Sequence, residues 1–543
     1  MRHLLPFLIT FAIAYPLSLI GLDIHHDGVI LKPALDVWSG QTLFLDSFSQ
    51  YGPLTTWIQV LFMKVLGPSL FSIRVATAFF YSLSAVALTA LWRLFLPESW
   101  VWISFAIWIG LAPYISESAM LPWPSVFALF FQIVAALCLI KSFDKNPRLA
   151  IISGASAAAV FWCRQPVGMV TIAGFFGVTF LHLIANRKTR KGLEVFGGFS
   201  LGLGLVFAAV LAHLFQAGSL HFWIEQNILW PAAWAKGTGG ATFERLFFYL
   251  VRIRNESLVI FLVLLVAKAL TVTFEKQFEA HPRIQWALAL LFGAGIFFRF
   301  PLSVYQAGAL TLIPLAGLFI AGPMLIKKPS WMGLTALVLV ISSWAQFYPV
   351  NDSWHVYWAM SPAIGIFIYW MSDLLKNRVW SQAFFGCWLL SLALTQLPGT
   401  YRKLTSPYAT VADPVLNGIR LPAKRAETLR VLVDRVRALS ELHGNRPIVL
   451  EGVDPFYACL TRDLSNIHRM PMIWRAGSFP QTHFDLEGIR FIEARSPWII
   501  SQPAELQMTG LPPALQGYAK DLTWIDPDRG TEVNLWVPRI IFQ

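Results

Sequence analysis

Apolar residues run in blocks separated by short polar stretches over the first three quarters of the 543-residue chain. Blocks of about 20 residues have the length of a bilayer-spanning helix. The first, 4–22, follows a single Arg2 and has no small-residue cleavage site after it, so it reads as a retained anchor rather than a signal peptide. Further spans are expected at 70–95, 100–113, 123–140, 150–162, 167–184 and 195–215. Others are expected at 258–273, 284–298, 307–326, 332–347, 356–375 and 383–397. The pattern predicts about thirteen helices. If they alternate in direction, the cationic clusters at Arg93, Lys141/Lys145/Arg148, Arg187/Lys188/Arg190/Lys191, Lys276/Arg283, Lys327/Lys328 and Lys376/Arg378 all fall on one side. Positive charge marks the cytoplasmic side. The opposite loops are then 23–69, 114–122, 164–166, 216–254, 299–305 and 348–355, and everything after Pro398 lies outside the cytoplasm.

The pattern changes after 398. Over 423–443, Leu429, Leu432, Val433, Val436 and Leu439 recur at helical spacing, and 447–450 and 498–500 read as short buried strands. The expected fold class is therefore a polytopic α-helical membrane protein with a small C-terminal α/β extracytoplasmic domain. Residues 1–398 form the transmembrane module, with its long first outer loop at 23–69. Residues 399–543 form the second unit, large enough for its own core.

Composition agrees with this reading. Of the residues 56% are hydrophobic and 13% charged, against about 25% charged in a soluble domain, which excludes a soluble multidomain enzyme. The net charge of +12 lies in clusters between apolar spans, not in a basic stripe interleaved with aromatics, so nucleic acid is not an expected partner. Cys138, Cys163, Cys387 and Cys459 are scattered and form neither a disulfide framework nor a CxxC pair.

The scarce polar chemistry gathers in the outer loops. Asp23-Ile-His25-His26-Asp27-Gly28 follows the first span, and Lys32 and Asp36 lie on the helical stretch after it. The loop then runs through Ser49-Gln50-Tyr51-Gly52-Pro53-Leu54. Asp23 and Asp27, four apart, share one face of a helical turn. A carboxylate here suits a general base toward an acceptor hydroxyl; the same residues also suit helix capping. His25 and His26 with Asp27 admit a metal site, but adjacent imidazoles point apart, so none is assigned. A leaving phosphate needs cationic or hydrogen-bonding groups. Arg164 and Arg299 sit at outer boundaries against the positive-inside bias, Tyr305 follows Arg299, and Asp352 precedes a helix whose first turn carries His355.

These motifs carry a resemblance. The Asp-bearing element after the first span, the Tyr51-Gly-Pro-Leu54 element and Gly67-Pro-Ser-Leu-Phe-Ser-Ile-Arg74 opening the next helix resemble GT-C superfamily membrane glycosyltransferases. The pattern is that of the protein O-mannosyltransferase and lipid A aminoarabinose transferase group. Asp454-Pro-Phe-Tyr457 with Thr461-Arg462 is similar to a strand and turn in the outer domains of bacterial members.

The resemblance implies a polyprenyl-phosphate-linked sugar as donor, a glycan, lipid or protein as acceptor, and inversion at the anomeric carbon. It makes Asp27 the catalytic base, with Asp23 the second candidate. Glu117 in the second outer loop becomes a helper carboxylate. Arg299, Arg164, His355 and Tyr305 are expected at the donor phosphate, and Lys32, Gln50, Tyr51 and Asp352 along the substrate cavity. The chain departs from many relatives by carrying Asp27-Gly28 where they have Asp-Glu. No cofactor is assigned, and a divalent cation is left open. The expected location is a bacterial inner membrane with the active site facing the periplasm, in contact with membrane lipids. Two other functions are kept: a lipid-linked oligosaccharide ligase or polymerase, and a polytopic lipid or solute transporter.

Overall fold

The computed structural model of the protein describes residues 4–116, 119–144, 146–186, 190–237, 287, 330–347, 353–374, 396–451, 455–465, 481–502 and 515–539. The N-terminal helix α1 (Leu4–Ser18) packs along α4 (Leu70–Trp92). Between them the first loop forms two helices, α2 (His26–Trp38), the helical stretch expected to carry Lys32 and Asp36, and α3 (Pro53–Leu66). Next come α5 (Glu98–Gly110), α6 (Pro124–Asp144), α7 (Leu149–Cys163), α8 (Gln165–Ala185) and α9 (Arg190–Gln216). Among the described residues α4, α6, α8 and α9 are long and apolar enough to cross a membrane. The expected spans at 258–273, 284–298, 307–326 and 383–397 lie almost wholly outside the described residues.

Small residues let helices meet at backbone distance. A Cβ placed on Gly154 of α7 would stand 1.9 Å from the Phe199 carbonyl oxygen of α9, and one on Gly202 would stand 1.9 Å from that of Ile151. Close backbone approach is how helices associate where lipid supplies no hydrophobic drive. One polar group buried between helices is fully paired. The Gln132 amide of α6 donates to Thr171 Oγ1 of α8 (2.9 Å) and to Ser342 Oγ (3.0 Å) of α12 (Trp331–Ser343), and it accepts from Ser343 Oγ (3.0 Å).

One expected span is broken. Residues 356–375 divide into α13 (Ser353–Met360) and α14 (Ala363–Leu374) at Ser361-Pro362. Proline has no N–H to continue the helix and disfavours helical geometry in the residue before it. Two buried indoles close the break: Trp92 Nε1 donates to the Pro362 carbonyl (3.3 Å) and Trp108 Nε1 to Ser361 Oγ (2.9 Å). Such pairing is what lets an interrupted helix persist inside a membrane bundle.

The C-terminal part contains a four-stranded sheet in the order β3-β4-β6-β5. Strand β3 (Ile448–Glu451) runs parallel to β4 (Trp498–Ser501), while β6 (Glu532–Pro538) is antiparallel to both β4 and β5 (Tyr518–Ile525). The amphipathic helix α16 (Ala423–His443) buries Leu429, Leu432, Val433, Val436 and Leu439, the stripe read from the sequence. Pro455–Leu460 forms a 3-10 helix, not a strand, consistent with the fixed φ of Pro455.

This 3-10 helix lies directly on α2. A Cβ on Gly28 would stand 2.0 Å from the Phe456 nitrogen, whose N–H donates to the Ile24 carbonyl (3.1 Å). That approach leaves no room for a side chain at position 28. Beside it the buried Lys32 Nζ pairs with Asp36 Oδ1 (2.5 Å) and donates to the Leu464 carbonyl (3.0 Å), and Ser47 Oγ donates to Asp36 Oδ2 (2.5 Å). Lys32 and Asp36 thus seal the seam between α2 and the C-terminal part. A desolvated ammonium is retained only with partners of this kind.

Candidate functional site

The site begins where the chain leaves α1. Gly21 (φ +81°) turns the backbone in the left-handed region. Its N–H donates to the Arg420 carbonyl (2.8 Å), and the Arg420 N–H donates back to the Leu19 carbonyl (2.8 Å). Asp23 then opens α2. Its Oδ1 accepts from the backbone N–H groups of His25 (3.0 Å) and His26 (2.8 Å), and His26 Nδ1 lies 2.8 Å from Oδ2. Asp27 returns the contact: its Oδ2 accepts from the Asp23 N–H (2.8 Å). Reciprocal caps of this form fix a helix start.

Beyond capping, the two carboxylates differ. The Asp27 side chain has no exposed surface. Arg74, equally enclosed in α4, donates from Nε to Asp27 Oδ1 (3.1 Å) and from Nη2 to Oδ2 (2.6 Å), and from Nη1 to the Ser18 carbonyl (2.7 Å). A two-point guanidinium–carboxylate pair is among the strongest hydrogen-bonded contacts in proteins. Asp27 therefore ties α2 to α4 and has no face left for a substrate. Asp23 keeps a 32% exposed side chain. Burial pushes its carboxyl up, but the His26 hydrogen bond and the charges of His26 and His25 outweigh it, holding the group at about 2. Asp23 is thus an ionised, partly exposed carboxylate whose Oδ2 meets the His26 imidazole.

Aromatic rings wall this position. Trp123 stands edge-on to His26 (centroids 5.0 Å) and to Tyr51 (5.2 Å), and His25 packs edge-on to His26 (4.8 Å). The Gln50 amide donates to Tyr51 Oη (2.8 Å). The expected residues Asp23, Gln50 and Tyr51 are therefore brought together through Trp123.

Arg164 reaches the same region from α7. It is buried, donating to Ser125 Oγ at the start of α6, two residues after Trp123, and to the Gln346 carbonyl (2.9 Å). The Gln346 side-chain amide, fully buried beside it, has no protein partner for either its nitrogen or its oxygen. His355 is buried in α13 with its ring edge-on to Trp358 (5.3 Å). Glu117, Arg299, Tyr305 and Asp352 lie outside the described residues.

A third element locks the Ser49–Tyr51 turn. Within the outer loop expected at 216–254, Glu225–Leu229 forms a π-helical turn. Gln226 Nε2 donates to the Phe44 carbonyl (2.8 Å) and its Oε1 accepts from the Ser49 N–H (3.1 Å). Asn227 Nδ2 donates to the Ser49 carbonyl (3.0 Å), and its Oδ1 accepts from Gln165 Nε2 (2.6 Å). Phe44 is held at φ +70°, a strained region for a bulky residue, at the foot of this clamp.

Arg74, His26, Trp123 and Gln346 were given no role from the sequence. Arg74 had a signal, a lone charge near the start of an otherwise apolar span; His26 stood in the polar cluster after the first span and was weighed only as a metal ligand, and Trp123 and Gln346 had no signal that separates them from packing residues.

Solved structures with this architecture exist. An oligosaccharyltransferase from Archaeoglobus fulgidus, solved in complex with Zn and sulfate, aligns over 97% of this chain and 72% of its own, with a TM-score of 0.50 and 11% identity. The archaeal oligosaccharyltransferase AglB from the same organism, in complex with an inhibitory peptide and a dolichol-phosphate, aligns over 98% and 74%, with a TM-score of 0.50 and 13% identity. The fold is GT-C-like. ArnT from Cupriavidus metallidurans, bound to undecaprenyl phosphate, aligns over 98% and 97% at 13% identity, with a TM-score of 0.49. No protein-family model and no curated protein sequence matches the chain.

The protein is an integral membrane protein, and its GT-C-like bundle carries the Asp23 cluster at the junction of α1 and α2. The Zn of the oligosaccharyltransferase complex has no evident counterpart among these side chains. Asp27 is taken by Arg74, and among the described residues no three His, Cys, Asp or Glu side chains converge.

Proposed function

We propose that this protein is a glycosyltransferase that moves a sugar from a polyprenyl-phosphate donor to an acceptor hydroxyl at the extracytoplasmic face of the membrane. The observation that carries the reading is the pairing of unlike carboxylates in a GT-C-like bundle: Asp27 neutralised inside, Asp23 ionised and open beside His26, Trp123 and Tyr51. Asp23 Oδ2 takes the proton of the acceptor hydroxyl as its oxygen attacks the anomeric carbon. The bond from that carbon to the phosphate oxygen breaks, and the lipid phosphate leaves with the electron pair, its new charge met by Arg164. The unpartnered Gln346 amide beside Arg164 supports a polar ligand there. Arg299, Tyr305 and His355 complete the proposed phosphate site. A single displacement inverts the sugar. The dolichol-phosphate bound to AglB supports a lipid-phosphate donor.

Membranes containing the protein, given a panel of radiolabelled polyprenyl-phosphate mono- and oligosaccharides, are expected to move label from one donor class into an acceptor fraction. Absence of protein-dependent transfer from every donor would overturn the proposal.

The pH dependence tests the base. Because the Asp23 carboxyl is depressed, it stays charged, and transfer persists, until pH falls toward about 2. In His26→Ala the side-chain hydrogen bond and the imidazole charge are lost while the position-26 N–H and the His25 charge remain, so the acid limb of kcat/KM moves upward from about 2. Activity then falls at a higher pH than in the wild type, whose acid limb lies toward about 2. A limb that does not move would remove His26 from this role.

A further inference from the structure

A second feature lies on the other side of α1. A cavity of about 350 Å³ opens between α1, the end of α5 and the short helix α15 (Leu397–Thr405). Its walls include Ile13, Leu17, Ile20, Ile115 and Leu404, and its lining includes a single charged residue, Arg420. From Ile13 to Leu17 the helix rises about 6 Å, and Ile20, just past its end, extends the apolar wall toward Arg420.

Helix α15 has the form of an interfacial element. Leu397 (53% exposed), Tyr401 (70%) and Leu404 (61%) stand at i, i+4 and i+7 and share one uncovered face. Lys403 is buried and donates to the Tyr114 carbonyl (2.9 Å), which pins the helix against the bundle. Arg402 and Arg420 are exposed, and among the described residues no carboxylate pairs with either. No Asp or Glu occurs between 396 and 412. An apolar face beside unopposed cations is the signature of a helix lying in an anionic membrane surface.

We propose that this groove holds one acyl chain of an anionic phospholipid, with the lipid phosphate at Arg420. The apolar walls exclude a polar ligand, and the unopposed arginines select a negative headgroup over a zwitterionic one. The Arg420 backbone is hydrogen-bonded to Leu19 and Gly21, so the headgroup sits against the turn that delivers Asp23. The lining shares no residue with the Asp23–Trp123–Arg164 cluster, and the proposal stands apart from the transfer reaction.

The test is native mass spectrometry of the full chain released from nanodiscs of equal phosphatidylglycerol and phosphatidylethanolamine. The wild type is expected to retain one phosphatidylglycerol. Arg420→Gln, a surface change, should reduce its retention roughly fivefold, the worth of one arginine at an anionic surface. Thr400→Trp, which fills the groove, should lose retained lipid of either headgroup; if it does not fold, by circular dichroism, Arg420→Gln decides alone. Equal retention in wild type and Arg420→Gln, no retained lipid in the wild type, or a polyprenyl phosphate as the retained molecule would each overturn the proposal.

Discussion

Asp23→Asn is expected to lower sugar transfer by about 10²–10⁴-fold, the usual worth of a positioned general base, while leaving the protein folded. The expectation rests on how the two carboxylate oxygens divide their work. Oδ1 accepts the His25 and His26 N–H groups, a task an asparagine carbonyl oxygen performs equally well. Oδ2 meets the His26 imidazole, and there the change replaces a proton acceptor with a donor. The same label-transfer assay measures the loss, with the unfolding temperature in detergent as control. Full activity in Asp23→Asn would remove the mechanism. Activity that survives Asp23→Asn but vanishes in a well-folded Asp27→Asn would return the base to Asp27, the assignment the family pattern implies.

That assignment shows where sequence reasoning reaches its limit. The spacing of Asp23 and Asp27 placed both on one helical turn, and both do cap α2. What separates them is Arg74, 47 positions from Asp27, whose guanidinium closes over that carboxylate. A tertiary partner leaves no trace in local periodicity. The stripe of α16 was legible because its five apolar positions recur at helical spacing on an exposed helix. The break at Ser361-Pro362 was not, because the apolar run continues through it and only the proline marks it. Lys32 was expected along the cavity as a charge on an amphipathic helix; the structure turns it into the seam with Leu464, a contact 432 positions away. Asp23, Gln50 and Tyr51 were found because their chemistry sits in one loop. Trp123, which gathers them, reads in the sequence as one more aromatic at the start of a span.

The Asp27–Arg74 pair should govern stability, with an asymmetry between its two halves. Asp27→Ala leaves a guanidinium buried with no counter-charge. Arginine cannot shed its proton in a protein, so the cost is expected at the level of other broken buried pairs, about 3–5 kcal/mol. Arg74→Met leaves a carboxyl instead. Burial already pushes the Asp27 carboxyl up; without Arg74 to oppose it the group takes a proton and the buried charge disappears, so this variant should lose less. The double variant Asp27→Leu/Arg74→Met removes both charges and fills the space with apolar atoms, and it is expected to unfold near the wild-type temperature. Scans at one fixed rate in one detergent rank the four proteins, and the predicted order is wild type and double variant together, then Arg74→Met, then Asp27→Ala. If Arg74→Met were the least stable, Asp27 would have to remain ionised when alone, and the account of the pair as a neutralised buried anchor would fail. The double variant also isolates a catalytic consequence. It loses the hydrogen bond from the Asp23 N–H to Asp27 Oδ2, so it should fold well yet transfer poorly, because Asp23 is no longer held at the mouth of α2.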